Sequence, residues 1–126
     1  MRLFFMLAAG FVSSVSSAMA DENAAKVMDA VQRKHHFAML KQGLIEAQAN
    51  WVYVIGAKTF ANRKCGEDVM PIAKVQSERQ GVVEFFKIPA DAMATGSDAI
   101  AADLETAFSN APEEVLKEFC QTAKAP

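Results

Sequence analysis

Five consecutive residues, Trp51-Val52-Tyr53-Val54-Ile55, constrain this chain more than any other stretch. All five are aromatic or β-branched, the composition of a short buried strand. They lie inside the run His36 to Cys65, which holds the only tryptophan and the only tyrosine of the sequence and should form the central element of the core. Alanines flank the five residues and turn formers are scarce around them, which favours a helix. The apolar positions Leu44, Ala47, Trp51, Val54 and Ile55 also follow helical spacing. The expected fold is therefore mostly α, a four- to five-helix bundle with one disulfide. The alternative is α+β, with residues 51–55 paired as a short strand with residues 82–86, Val82-Val83-Glu84-Phe85-Phe86.

Residues 1–20 are set apart from the fold. Arg2 supplies a short positive region, Leu3 to Val12 an apolar stretch too short to span a bilayer comfortably, and Ala18-Met19-Ala20 an A-x-A cleavage signal. This pattern predicts a cleaved signal peptide and a single helical domain over residues 21–126. The expected location is the periplasm, or the exterior by another secretory route. No later run is apolar and long enough for a transmembrane anchor.

With Arg2 removed, twelve basic and fifteen acidic residues leave a formal charge of −3. That balance argues against nucleic acid as a partner, because such binding needs clustered cations. The charges are unevenly placed. Asp21 to Cys65 carries seven bases and four acids; Gly66 onward carries five and eleven. Two oppositely biased segments should pack together, with most charges on solvated faces. The two cysteines, Cys65 and Cys120, form an even count in a chain bound for an oxidising compartment, which predicts a disulfide rather than a redox pair, since no C-x-x-C is present.

In order along the chain, Asp21 is the expected N-cap of a first helix carrying Ala24, Val27, Met28, Val31, His35 and Ala38. Gly43 ends or bends it. After the central helix, Asn62 to Asp68 reads as a connection. Pro71 opens a helix supported by a Lys74–Glu78 pair and closed near Gln80 by Gly81. Pro89 to Gly96 reads as a loop, with Ser97 capping the next helix. Asn110 and Pro112 then start a last helix with Val115, Leu116, Phe119 and Cys120 on one face.

Chemistry-bearing motifs are scarce. There is no nucleophile elbow, no phosphate-cradling glycine loop, no zinc or haem spacing and no acidic calcium loop, so neither an enzyme nor a cofactor is expected. Met28, His35 and Met39 share one helical face at i, i+7 and i+11, and thioether plus imidazole donors suit copper(I). The apolar surface around residues 27–55 exceeds one narrow stripe, which points first to burial on several sides and second to an interface. The leading expectation is a non-enzymatic protein-binding role in the periplasm, as an inhibitor, immunity-type or stress-protective partner of another envelope or secreted protein. The alternative is a periplasmic copper-binding protein using Met28, His35 and Met39.

Overall fold

The computed structural model describes residues 23–124. The signal-peptide expectation for residues 1–20, and Asp21 as a cap, fall outside the described residues. Within them the chain forms five helices and no strand: α1 (Ala24–Lys41), α2 (Glu46–Cys65), α3 (Ile72–Phe86), α4 (Ala90–Ser109) and α5 (Glu113–Lys124). It is a small helical bundle, and the strand pairing of 51–55 with 82–86 does not occur.

The β-branched residues of the Trp51–Ile55 run are helical because helix geometry buries them better. Val52, Tyr53 and Ile55 are buried, as are Ala49, Gly56, Ala57, Phe60 and Ala61, so α2 is enclosed on several sides. It packs against all four other helices, most extensively against α4. Tertiary burial here outweighs the modest intrinsic preference of Val, Ile and Tyr for strands.

The α2–α4 crossing is close because two glycines stand there. A Cβ built on Gly56 falls 2.7 Å from Ile100 Cγ2 and 3.0 Å from the Ser97 carbonyl oxygen; one built on Gly96 falls 2.7 Å from Val52 Cγ1. Both glycines thus admit the facing helix where any side chain would hold it off. Ser97 is buried at the same crossing. Around it Met93, Ile100, Ala101, Leu104 and Phe108 complete the α4 side of the core.

Several boundaries differ from the sequence reading. Asn23 caps α1, its Oδ1 accepting the Lys26 N–H at 2.9 Å. Residues 62–65 belong to α2, and Gly66, at φ +98°, closes that helix. The Gly81 stop is absent. Gly81 faces open space, and α3 continues because Val82 and Phe86 extend the apolar row begun at Val75 toward α2. Lys87 closes α3 instead, in the left-handed region at φ 57°. The loop expected at residues 89–96 is also absent. After Pro89, good helix formers (Ala90, Ala92, Met93, Ala94) start α4 eight residues earlier, and Ser97 lies inside it rather than capping it. Asn110 serves as the C-cap of α4. Glu78 pairs with Lys58 of α2 at 2.6 Å instead of Lys74.

The disulfide joins Cys65 at the end of α2 to Cys120 on α5, with Cα atoms 5.5 Å apart. Phe60, Phe108 and Phe119 meet nearby, with ring centroids 5.2 to 5.3 Å apart. The charge asymmetry is resolved in space as well. Lys34–Asp103, Lys58–Glu78 and Lys64–Glu105 each join a base before Gly66 to an acid after it.

Candidate functional site

Most large apolar side chains of the bundle are covered, and the exceptions concentrate interest. Phe85 is 78% exposed and Ile45 62% exposed. They belong to one end of the bundle, where the α1–α2 turn meets the last turn of α3. Gly43, at φ +102°, lets the Leu44 N–H reach back to the Met39 carbonyl, and Leu44 turns inward while Ile45 faces solvent. Ile45 stands at the N-cap of α2. It has no side-chain acceptor, so only the returning half of a capping box forms: Gln48 Oε1 accepts the Ile45 N–H at 3.0 Å.

Gln48 has a second task. Its Nε2 donates to the carbonyls of Phe86 at 3.0 Å and Lys87 at 3.2 Å, groups freed by the end of α3. One amide therefore ties the start of α2 to the end of α3. Phe86 packs on Trp51 with ring centroids 6.0 Å apart, and Phe85 meets Phe86 edge-on at 4.9 Å. Trp51 and Phe86 are half-buried. The result is an aromatic ledge, with a packed base and Phe85 standing outside it, flanked by the exposed charges Glu84 and Lys87. Phe37, on α1, is also exposed and carries Lys41 Nζ over its ring at 4.9 Å.

The residues proposed from sequence as copper ligands are not brought to one point. Met28 and Met39 are eleven residues apart in the same helix, about 16 Å along its axis, too far for two thioethers to share an ion. Met39 is buried, its Sδ 3.7 Å from the Cβ position of Gly96. Met28 lies half-buried between α1 and α2, where Tyr53 donates to its carbonyl at 3.2 Å. His35 Nε2 is taken by Asp103 Oδ2 at 2.6 Å, across the α1–α4 contact. Among the described residues no group of three or more His, Cys, Asp or Glu side chains is placed to hold a metal.

That histidine contact belongs to an ion cluster. Lys34 also donates to Asp103 Oδ2, at 3.0 Å, and the two bonds, Lys34 first, hold the Asp103 carboxyl below its ordinary range. The cluster is wide open to water on the Lys34 side and borders a shallow depression lined also by Ala30, Val31, Thr106 and Ala107. It fastens α1 to α4. Tyr53, by contrast, is buried, and burial, with a smaller effect of Asp29, raises its phenol to about 12. It stays neutral across the physiological range.

The sequence did not single out Phe85 or Ile45. Gly81 and Pro89 suggested that α3 stopped early and left the phase of residues 82–88 undefined, and Ile45 was not among the apolar positions assigned to the central helix.

Comparison with protein-family models, curated proteins and solved structures finds no match to this chain.

Proposed function

We propose that this is an exported, non-enzymatic protein-binding module of the periplasm or an equivalent secretory space, and that it engages its partner with the aromatic ledge at the α1–α2 and α3–α4 end. The reading of export rests on the leader-like pattern of residues 1–20 and on the oxidised Cys65–Cys120 pair, which suits an oxidising compartment. No described helix is long and apolar enough to cross a membrane.

The observation that carries the binding role is Phe85. A phenylalanine left 78% exposed, with its neighbours Phe86 and Trp51 packed beneath it, has the form of an interface anchor. Its shape calls for a partner protein with a concave apolar pocket. Burying such a side chain is worth about 2 kcal/mol, or roughly thirtyfold in affinity.

A photo-crosslinking side chain at position 85, with the same group at exposed Lys117 as control, tests this in the producing cells. The expected result is one adduct from position 85 alone, suppressed by excess unmodified protein and not by the Phe85→Asp protein. No adduct above the Lys117 control, equal competition by Phe85→Asp, or an adduct of two copies of this chain would each overturn the proposal.

A further inference from the structure

A second feature, separate from the aromatic ledge, is a trough where α1, α2 and α5 meet. It has a volume of about 420 Å³. It is open to solvent along one side, and it has an identifiable origin. Where α2 faces the trough it offers Ala57 and Ala61, which are too short to fill the gap between three helices, while Met28, Met70 and Phe119 stand around it.

The polar groups along its wall are already engaged. The Tyr53 hydroxyl donates to the Met28 carbonyl at 3.2 Å, and the Lys58 ammonium to Glu78 at 2.6 Å. Glu118 Oε1 accepts the Ala24 N–H at 3.2 Å, and the Thr122 hydroxyl donates to the Glu118 carbonyl at 3.0 Å. Each of the four polar side chains that line the trough thus has an internal partner. The rest of the wall is apolar (Ala24, Met28, Val54, Ala57, Met70 and Phe119 among its residues), so a sugar, a nucleotide or an extended peptide would find few partners for its polar groups there. A hydrocarbon chain has no such groups to lose.

We infer that the trough is a binding site for a single unbranched hydrocarbon chain, such as that of a fatty acid or a lipid, with the polar head left at the solvent edge. The volume lies within the range of small-molecule sites. At roughly 30 Å³ per group, about the liquid volume of one water, this corresponds to at most about fourteen methylenes. The head contributes little, because Lys58, the cation at the rim, is already neutralised by Glu78. The chain rather than the headgroup sets the affinity.

The test is equilibrium dialysis of the purified, oxidised protein against labelled hexadecanoate, with dodecanoate and a 16-carbon lysophosphatidylcholine as parallel arms. Expected are one saturable site for hexadecanoate and a dissociation constant at least tenfold weaker for dodecanoate, since each buried methylene is worth up to about fourfold. The lysolipid arm shows whether the source is a free acid or a lipid; either one supports the site. Filling the trough with Ala57→Phe should weaken hexadecanoate at least tenfold. Ala123→Leu, at the half-exposed α5 edge, provides the same check if Ala57→Phe unfolds the protein. Absence of saturable binding, equal binding of dodecanoate, or full binding by the folded trough variants overturns the inference. So does a photo-crosslinker at position 57 that captures a partner helix in place of lipid. Phe85→Asp should leave hexadecanoate binding unchanged, so this site and the ledge stand or fall separately.

Discussion

Replacing Gly56 by alanine should destabilise the protein, although alanine is the better helix former by about 1 kcal/mol. The new methyl would lie 2.7 Å from Ile100 Cγ2, 2.8 Å from Ile100 Cβ and 3.0 Å from the Ser97 carbonyl oxygen. Carbon atoms in contact prefer roughly 3.5 to 4.0 Å, so the overlap approaches 1 Å. Ile100 is fully buried and branched at the clashing carbon, and the Ser97 oxygen is backbone, so no rotamer change clears the site. The remaining relief is to part α2 from α4 along the most extensive helix pairing in the molecule. Overpacking of this kind costs about 3 kcal/mol, at the upper end of its usual range, and the propensity gain returns about 1, for a net loss of about 2 kcal/mol. In a domain of this size that lowers Tm by about 10 °C. Gly81→Ala is the matched control. It is also mid-helix, with nothing within 4 Å of the added methyl, and should gain about 1 kcal/mol. Urea unfolding followed by Trp51 fluorescence, together with thermal scans by circular dichroism, measures both. A Gly56→Ala protein as stable as the parent would refute the reasoning, because the helices would then be shown to part at no cost.

Two further outcomes follow from particular contacts. Removing the disulfide with Cys65→Ser and Cys120→Ser frees a loop closed across a sequence separation of 55 and should cost about 4 kcal/mol in the chain-entropy description; a loss of unfolding free energy in urea of less than a quarter of that would contradict it, and hydrogen exchange should rise most in α5. Asp103 is a pH probe. Its carboxyl is held below the ordinary 3.8 by Lys34 and then His35, so its contribution to stability is fully present above the unfolded value and is lost as pH falls through the depressed folded value. Asp103→Asn should therefore lower stability near neutrality by a small amount, because the group is a third exposed, and flatten the acid limb of the stability profile; an acid limb identical to the parent's would count against the pairing.

Much of this fold was legible because the largest forces leave periodic traces. The apolar spacing of α1 and α5 predicted their buried faces, and Val27, Val31, Val115 and Phe119 are indeed buried. The even cysteine count predicted the bond between Cys65 and Cys120. The opposed charge bias of the two halves predicted that they would meet, and the lysines at 34, 58 and 64 find their acids across that divide. What failed was punctuation. Gly81, Gly96 and Ser97 were read as local stop and start signals, yet all three lie inside helices. Glycine carries two meanings that look alike in sequence, a backbone that must bend and a backbone that must be approached. Gly43 and Gly66 are of the first kind, with positive φ; Gly56 and Gly96 are of the second.

The same ambiguity hid both candidate sites. Ending α3 near Gln80 removed the helical phase that places Val82 and Phe86 inward and Phe85 outward, so the exposed Phe85 fell in a stretch whose alternative reading was a strand. The trough was less legible still. It is made by side chains that are too small, and Ala57 and Ala61 sit in a row of alanines that sequence reading credits only with helix propensity. Whether such a row draws a neighbouring helix close or leaves a space depends on what the neighbour presents. On the α4 side, Ile100 and Leu104 fill the surface of α2; on the α5 side the last helix is short, buries only Val115 and Phe119, and is held to α2 through Cys120. A helix fixed by a covalent bond need not pack to full density to stay in place. The Cys65–Cys120 bond holds α5 against α2 whether or not Ala57 and Ala61 fill the space between them.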